Sequence, residues 1–253
     1  MGPDLVSILA ELSGGVWQLQ DYVVYAAGSD VDLMTHVVEA VAARSNVHLY
    51  PGDWFGFRVG CSQTERIQWA SAGAAALKCL CIPSVRNGHV TPEMVDFLSE
   101  GDGCLLNLNL FPTMVASERT DVAEALLPLL PKSLISISFS RGFGLTASQL
   151  GVMLVHRDHP LRAEFDTQWR WFSYFYNRLA ADAFMTLDKE ALSSVDTLRR
   201  DWVQRSLRER GLPAVDSGSY YVKSFRVQGQ LAPEYDVLRR DDILRLCFKP
   251  PIV

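Results

Sequence analysis

Residues 136–151 read SISFSRGFGLTASQLG, and this stretch concentrates groups with chemical capacity. Arg141 is a fixed cation: its delocalised guanidinium stays protonated, so it holds a carboxylate or phosphate but cannot act as an amine nucleophile. Ser138 and Ser140 set hydroxyls beside it for hydrogen bonding or proton transfer, and Gln149 adds an amide. Further candidates lie elsewhere in the chain. Gly28 and Ser29 open a helical pattern whose first amides suit an anion. Trp54 offers a flat ring, Asn109 an amide, Phe111 an apolar face and Arg245 a second cation.

The chemistry that composition excludes is broad. With a formal charge of −5 there is no electrostatic case for nucleic acid. The basic run at 199–210 is interleaved with acids, as on a solvated helix face. No apolar run reaches the roughly 18 to 20 residues of a membrane span. The N-terminus lacks a basic region ahead of its apolar residues, so a signal peptide is not expected. Five cysteines without framework spacing read as free thiols in a cytoplasmic protein. The five histidines form no zinc pattern, and His156 and His159 fall where a surface loop is expected, so no metal site is assigned.

The elements that must position these groups alternate in type. Strand-like runs fall at 21–27, 46–50, 77–83, 103–110, 133–139 and 150–156. Helical patterns fall at 30–44, 57–75, 91–100 and 118–130, the third with Thr91 as N-cap and Pro92 at the first helical position. Continuous apolar strands between helices imply an α/β fold with a mixed, mostly parallel sheet flanked by helices. From 158 onward a long helical stretch is followed by strand-like pieces at 219–227 and 242–248. The expected organisation is a large α/β domain over 1–190 and a small C-terminal α+β subdomain over 191–253.

SISFSRGFGLTASQLGVMLVH resembles the strand, turn and strand of the fold-type I pyridoxal-phosphate-dependent aminotransferases of class I/II. In that family the pattern is Ser-x-Ser-Lys-x-x-Gly followed by an arginine and an apolar strand. The resemblance extends to VVYAAGSDVDLMTHVV, similar to the phosphate-cradling turn and helix, and to LYPGDWFGFR, similar to the segment with the ring-stacking aromatic. It continues through CLCIPSVRNGHVTPEMVDFL, through LLNLNLFPT, similar to the Asn-Pro-Thr-Gly segment, and through DSGSYYVKSFRV and ILRLCF near the C-terminus. It implies that Gly28 and Ser29 bind an anion, that Trp54 stacks on a ring, that Arg245 meets a substrate carboxylate, and that the chain is a homodimer.

The departures from the family fall on its cofactor anchors. Arg141 stands where the lysine forms the Schiff base, Gln149 where an arginine holds the phosphate, and Phe111 where an asparagine precedes Pro112 and Thr113. The 27 residues between Thr113 and Arg141 (114–140) are half the usual interval. This implies the loss of the strand whose aspartate pairs with the pyridine nitrogen. The expectation is a degenerate member with no covalently bound cofactor and little prospect of binding pyridoxal phosphate. Three functions compete. One is a repurposed, cofactor-independent enzyme of specialised biosynthesis acting on a carboxylated or amino-acid-derived substrate. The others are a non-catalytic ligand-binding or scaffold protein and a weak non-covalent binder of pyridoxal phosphate.

Each site residue also has a structural reading. Trp54 equally suits a core or interface ring, Gly28–Ser29 a plain helix entry, Arg245 a partner of Asp241 or Asp242, and Arg141 a plug paired with an acid. The stretch 166–184 carries Trp169, Trp171, Phe172, Tyr174, Phe175, Tyr176 and Phe184. Rings on every side of a helix suit burial between the large domain and a second subunit, or an apolar ligand pocket with Arg170 and Arg178 beside it.

Overall fold

The computed structural model describes residues 2–138, 140, 142–143, 150–170, 179, 189–212, 218–227, 229, 232–236, 239–240 and 243–248. Arg141, Gln149, Arg178 and the aromatic residues of the run beyond Arg170 lie outside the described residues. After helix α1 (Gly2–Leu12) come β1 (Tyr22–Ala27), α2 (Asp30–Ala42), β2 (Val47–Leu49), β3 (Ile67–Trp69) and β4 (Ala75–Cys81). Next follow α3 (Pro92–Ser99), β5 (Gly101–Asn107), α4 (Ala116–Leu126), β6 (Ser133–Ser138), β7 (Gly151–His156) and α5 (Arg162–Gln168). The C-terminal part holds α6 (Lys189–Glu209), β8 (Val222–Arg226), α7 (Pro233–Asp236), β9 (Arg239–Arg240) and β10 (Ile243–Cys247).

Seven strands form one sheet in the order β1-β7-β6-β5-β4-β2-β3. The ladders from β3 through β6 are parallel, while β7 runs antiparallel to both β6 and β1. The strands are apolar on both faces because both are covered. One cluster packs α1, α3 and α4 with Trp17 and Phe111; the other packs α2, Phe57 and Phe165. Helix α2 shows the local logic. Ser29 accepts the Val31 amide at 3.1 Å as its N-cap, and Leu33, Met34, Val37 and Val38 recur at helical spacing and are buried. Each fully buried Leu or Val contributes roughly 1.5–3 kcal/mol.

The segment 57–75 corrects a helical reading. It consists of 3₁₀ turns at Phe55–Arg58 and Thr64–Arg66 followed by the edge strand β3. Only Ile67 of β3 is buried, too little apolar surface to hold a helix on the sheet. Nor is there a vacancy left by a lost strand. β4, β5 and β6 are consecutive hydrogen-bonded neighbours, and the residues after Thr113 are the complete crossover through α4 into β6.

The C-terminal sheet runs β8-β10-β9 around Val203 and Leu207 of α6, Tyr220, Phe225 and Leu244. It docks on the large sheet through main-chain contacts. Ser219 N donates to Gly88 O at 3.1 Å and Tyr220 N to Thr113 O at 3.2 Å. Arg200 Nη2 reaches the carbonyls of Thr113 and Met114 at 2.8 and 2.6 Å. Among the described residues no helix is long and apolar enough to cross a membrane.

Candidate functional site

The sequence candidates converge where β1, β5 and β6 end. Just beyond β5, Asn109 Nδ2 donates to Asp30 Oδ2 at 2.7 Å, while its Oδ1 accepts the Ser138 amide at 2.5 Å. One side-chain amide therefore joins the head of α2 to the end of β6, using both of its faces as the hydrogen-bonding capacity of Asn allows. The Ser138 and Ser140 hydroxyls lie 2.9 Å apart. Asn107, the last residue of β5, is buried and accepts the Asn109 amide at 3.0 Å, bending the chain into the site.

Asp30 is the first residue of α2 and only 3% exposed. Its close seating depends on Gly151 at the start of β7: a Cβ there would lie 2.3 Å from Asp30 Cβ and 2.7 Å from the Asp30 amide. The first turn of α2 also carries Asp32, so acidic charge already faces the positive end of the helix dipole.

A second group of residues builds a wall from the loops after β2 and β4. Trp54 is half-buried, edge-on to Phe57 with ring centroids 5.3 Å apart. Its indole lies over Gly56, where an added Cβ would come within 2.0 Å of the ring, so the approach requires glycine. Preceding it, Asp53 is 8% exposed. Its carboxylate accepts the Cys81 amide at 2.7 Å, the Ser84 hydroxyl at 2.9 Å and the Val85 amide at 2.9 Å. Burial pushes the Asp53 carboxyl up to about 6, and these hydrogen bonds pull the other way. Arg245 of β10 is exposed and donates from Nη1 to Val85 O at 2.8 Å.

The structure thus brings Gly28–Ser29, Asn109, Ser138 and Ser140 to one edge, and ties Trp54 and Arg245 to a common loop. Arg245 meets a main-chain carbonyl there. Phe111 is a core residue: it is fully buried and stacked on Trp17 at 5.2 Å and 10°, which corrects its assignment to ligand binding. Arg141 and Gln149 lie outside the described residues. No cluster of metal ligands occurs among the described residues. Asp53 was not singled out by the sequence; PGDWFG reads there simply as a turn.

No family model matches the sequence, and no curated protein matches it. The fold is nevertheless that of the fold-type I pyridoxal-phosphate-dependent aminotransferases. A structure of histidinol-phosphate aminotransferase from Sinorhizobium meliloti in complex with pyridoxal-5'-phosphate superposes with a TM-score of 0.60 at 17% identity, over 88% of this chain and 65% of that one. The Escherichia coli protein YbdL, identified with a methionine aminotransferase function, gives 0.68 at 12% identity, over 97% of this chain and 78% of that one. A pyridoxal-phosphate-bound C-S lyase from Staphylococcus hominis gives 0.65 at 11% identity, over 88% and 64%. The chain therefore spans less than two thirds of the lengths of the first and last of these three. The expectation of no covalently bound cofactor and little prospect of binding pyridoxal phosphate is overturned by these neighbours, two of which hold that cofactor.

Proposed function

We propose that the strand-end site binds pyridoxal phosphate and that the protein is an aminotransferase-like binder of amino-acid-derived or carboxylated molecules in which Arg141 replaces the family's lysine. The carrying observation is the Asn109 amide, which holds the head of α2 and the end of β6 in one hydrogen-bonded unit. The neighbours' printed activities, on histidinol phosphate and methionine, support the substrate class.

The residues present fit the ring better than the phosphate. Trp54 would supply a ring face, and Asn109, Ser138 and Ser140 would supply polar contacts. At the phosphate end, the Ser29 oxygen takes up the Val31 amide, which leaves the hydroxyl proton to donate, and Asp30 brings a carboxylate to the first turn of α2. When bound, pyridoxal phosphate supplies an electron sink for bonds at an amino-acid α-carbon. The protein's own contribution is to orient: Asn109 fixes the site's floor, and Arg141, a permanent cation in the sequence, would attract a carboxylate rather than exchange a proton.

Titration of the full chain with pyridoxal phosphate, followed by absorbance, tests this. The expected result is a saturable spectral change whose midpoint rises about tenfold in Trp54→Ala, the scale of one lost aromatic contact. No saturation, or an unchanged midpoint in Trp54→Ala, refutes the site. A pyridoxyl group fixed to a lysine by borohydride refutes the reading of Arg141.

A further inference from the structure

We propose that Asp53 is a positioning residue, whose carboxylate buckles the Trp54 loop to the loop after β4 so that the aromatic wall and the Arg245-bearing small sheet are set as one unit. The relevance to a ligand rests on the reading of Trp54 as the ring wall; the mechanical role does not.

A carboxylate has two oxygens and about four lone-pair sites, and at Asp53 three donors meet them: the Cys81 and Val85 amides and the Ser84 hydroxyl. Two are main-chain N–H groups, and buried main-chain donors left without acceptors are costly. All three donors come from the end of β4 and the loop after it, 28 to 32 residues from Asp53 in sequence, so the carboxylate joins segments with no strand pairing between them at this point. Asn in its place would turn an NH2 group toward donors. Arg86 Nη1 adds a second tie, to Pro51 O at 2.7 Å, but it grips only the start of the Trp54 loop.

The joined loop then carries the small sheet at two points. Arg245 bonds the Val85 carbonyl, one atom group away from the amide that Asp53 holds, and the Ser219 amide bonds Gly88 O. Any displacement of Val85 is therefore felt on one side by Trp54, through Asp53, and on the other by β10, through Arg245. Asp53 is nearly enclosed, so it acts through Trp54 and not by touching a ligand.

Fluorine NMR of the full chain labelled with 5-fluorotryptophan reads this directly. The chain has six tryptophans, and Trp54→Phe, Trp17→Phe and Trp202→Phe assign the three signals needed. In Asp53→Asn the Trp54 signal is expected to move, with Trp17 and Trp202 unchanged, and pyridoxal phosphate is expected to bind about tenfold more weakly, the scale of one lost charge-assisted hydrogen bond. Ser84→Ala, which removes one donor, is expected to move the Trp54 signal in the same direction by less. It decides the matter if Asp53→Asn fails to fold. A Trp54 signal unmoved in the folded variants overturns the proposal, as does a moved signal with unchanged affinity. If Trp54 responds but the wild-type chain does not bind pyridoxal phosphate, the positioning role stands and the ligand reading falls.

Discussion

Asp53 sets two opposing effects against each other, and acidification separates them. Burial pushes its carboxyl from an ordinary 3.8 to about 6, while its hydrogen bonds favour the ionised form. With the folded value raised, the unfolded chain loses its proton first. Stability from this group is fully present below about 3.8 and is lost as pH rises through 6. A rise of roughly two pH units corresponds to about 3 kcal/mol at neutral pH, of which about 2 kcal/mol is recovered by pH 4.5. The residue is nearly enclosed, so solvent screening takes little from that figure. Asp53→Asn has no such titration, and every other carboxyl is common to both proteins. Urea unfolding of both at pH 7.0 and 4.5, with matched m-values, isolates the effect. The wild-type advantage over Asp53→Asn should grow by about 2 kcal/mol on acidification. A constant or shrinking advantage would show that the hydrogen-bond donors outweigh burial, and would refute the reasoning.

Three further outcomes are expected. Asp30→Asn, which keeps an acceptor for Asn109 but removes charge from the head of α2, should tighten pyridoxal phosphate about fivefold in an absorbance titration, the size of a helix-terminus charge effect. Gly151→Ala should cost about 1–3 kcal/mol in urea unfolding, because its Cβ would lie 2.3 Å from Asp30 Cβ. Lys78 is fully buried and bonded at 2.9 Å to Glu100, itself 46% exposed. Lys78→Met should therefore stay within about 1 kcal/mol of wild type, whereas Glu100→Ala, which leaves a buried ammonium unpaired, should cost more; equal losses would count against this asymmetry.

The strands were legible because burial on both faces leaves continuous apolar runs such as LGVMLVH, and α2 because its cap and its apolar face agree. The segment 57–75 was not. Its scattered apolar residues imitate a helical period, yet only the pairing of Ile67–Trp69 with β2 decides its conformation. Phe111 stood at a motif position and was read as a site residue. Its stacking on Trp17, 94 positions earlier, exists only in the folded chain. Asp53 was hidden for the same reason, since its donors lie across the sheet edge. Ser138 and Asn109, in contrast, were singled out because the family pattern marks the ends of the strands that carry them.

The docking of the small sheet has a consequence for divergence. Its hydrogen bonds run to the carbonyls of Val85, Gly88, Thr113 and Met114, groups that every amino acid supplies. An attachment made this way constrains its acceptors unevenly. Val85 and Met114 contribute carbonyls that any residue supplies, whereas Thr113 also pairs its hydroxyl with that of Ser219 at 2.6 Å, and a Cβ on Gly88 would lie 2.0 Å from Val222 O. Substitutions can accumulate at the first two positions while the two sheets keep their mutual seat, but the close approach at Gly88 holds that position to glycine.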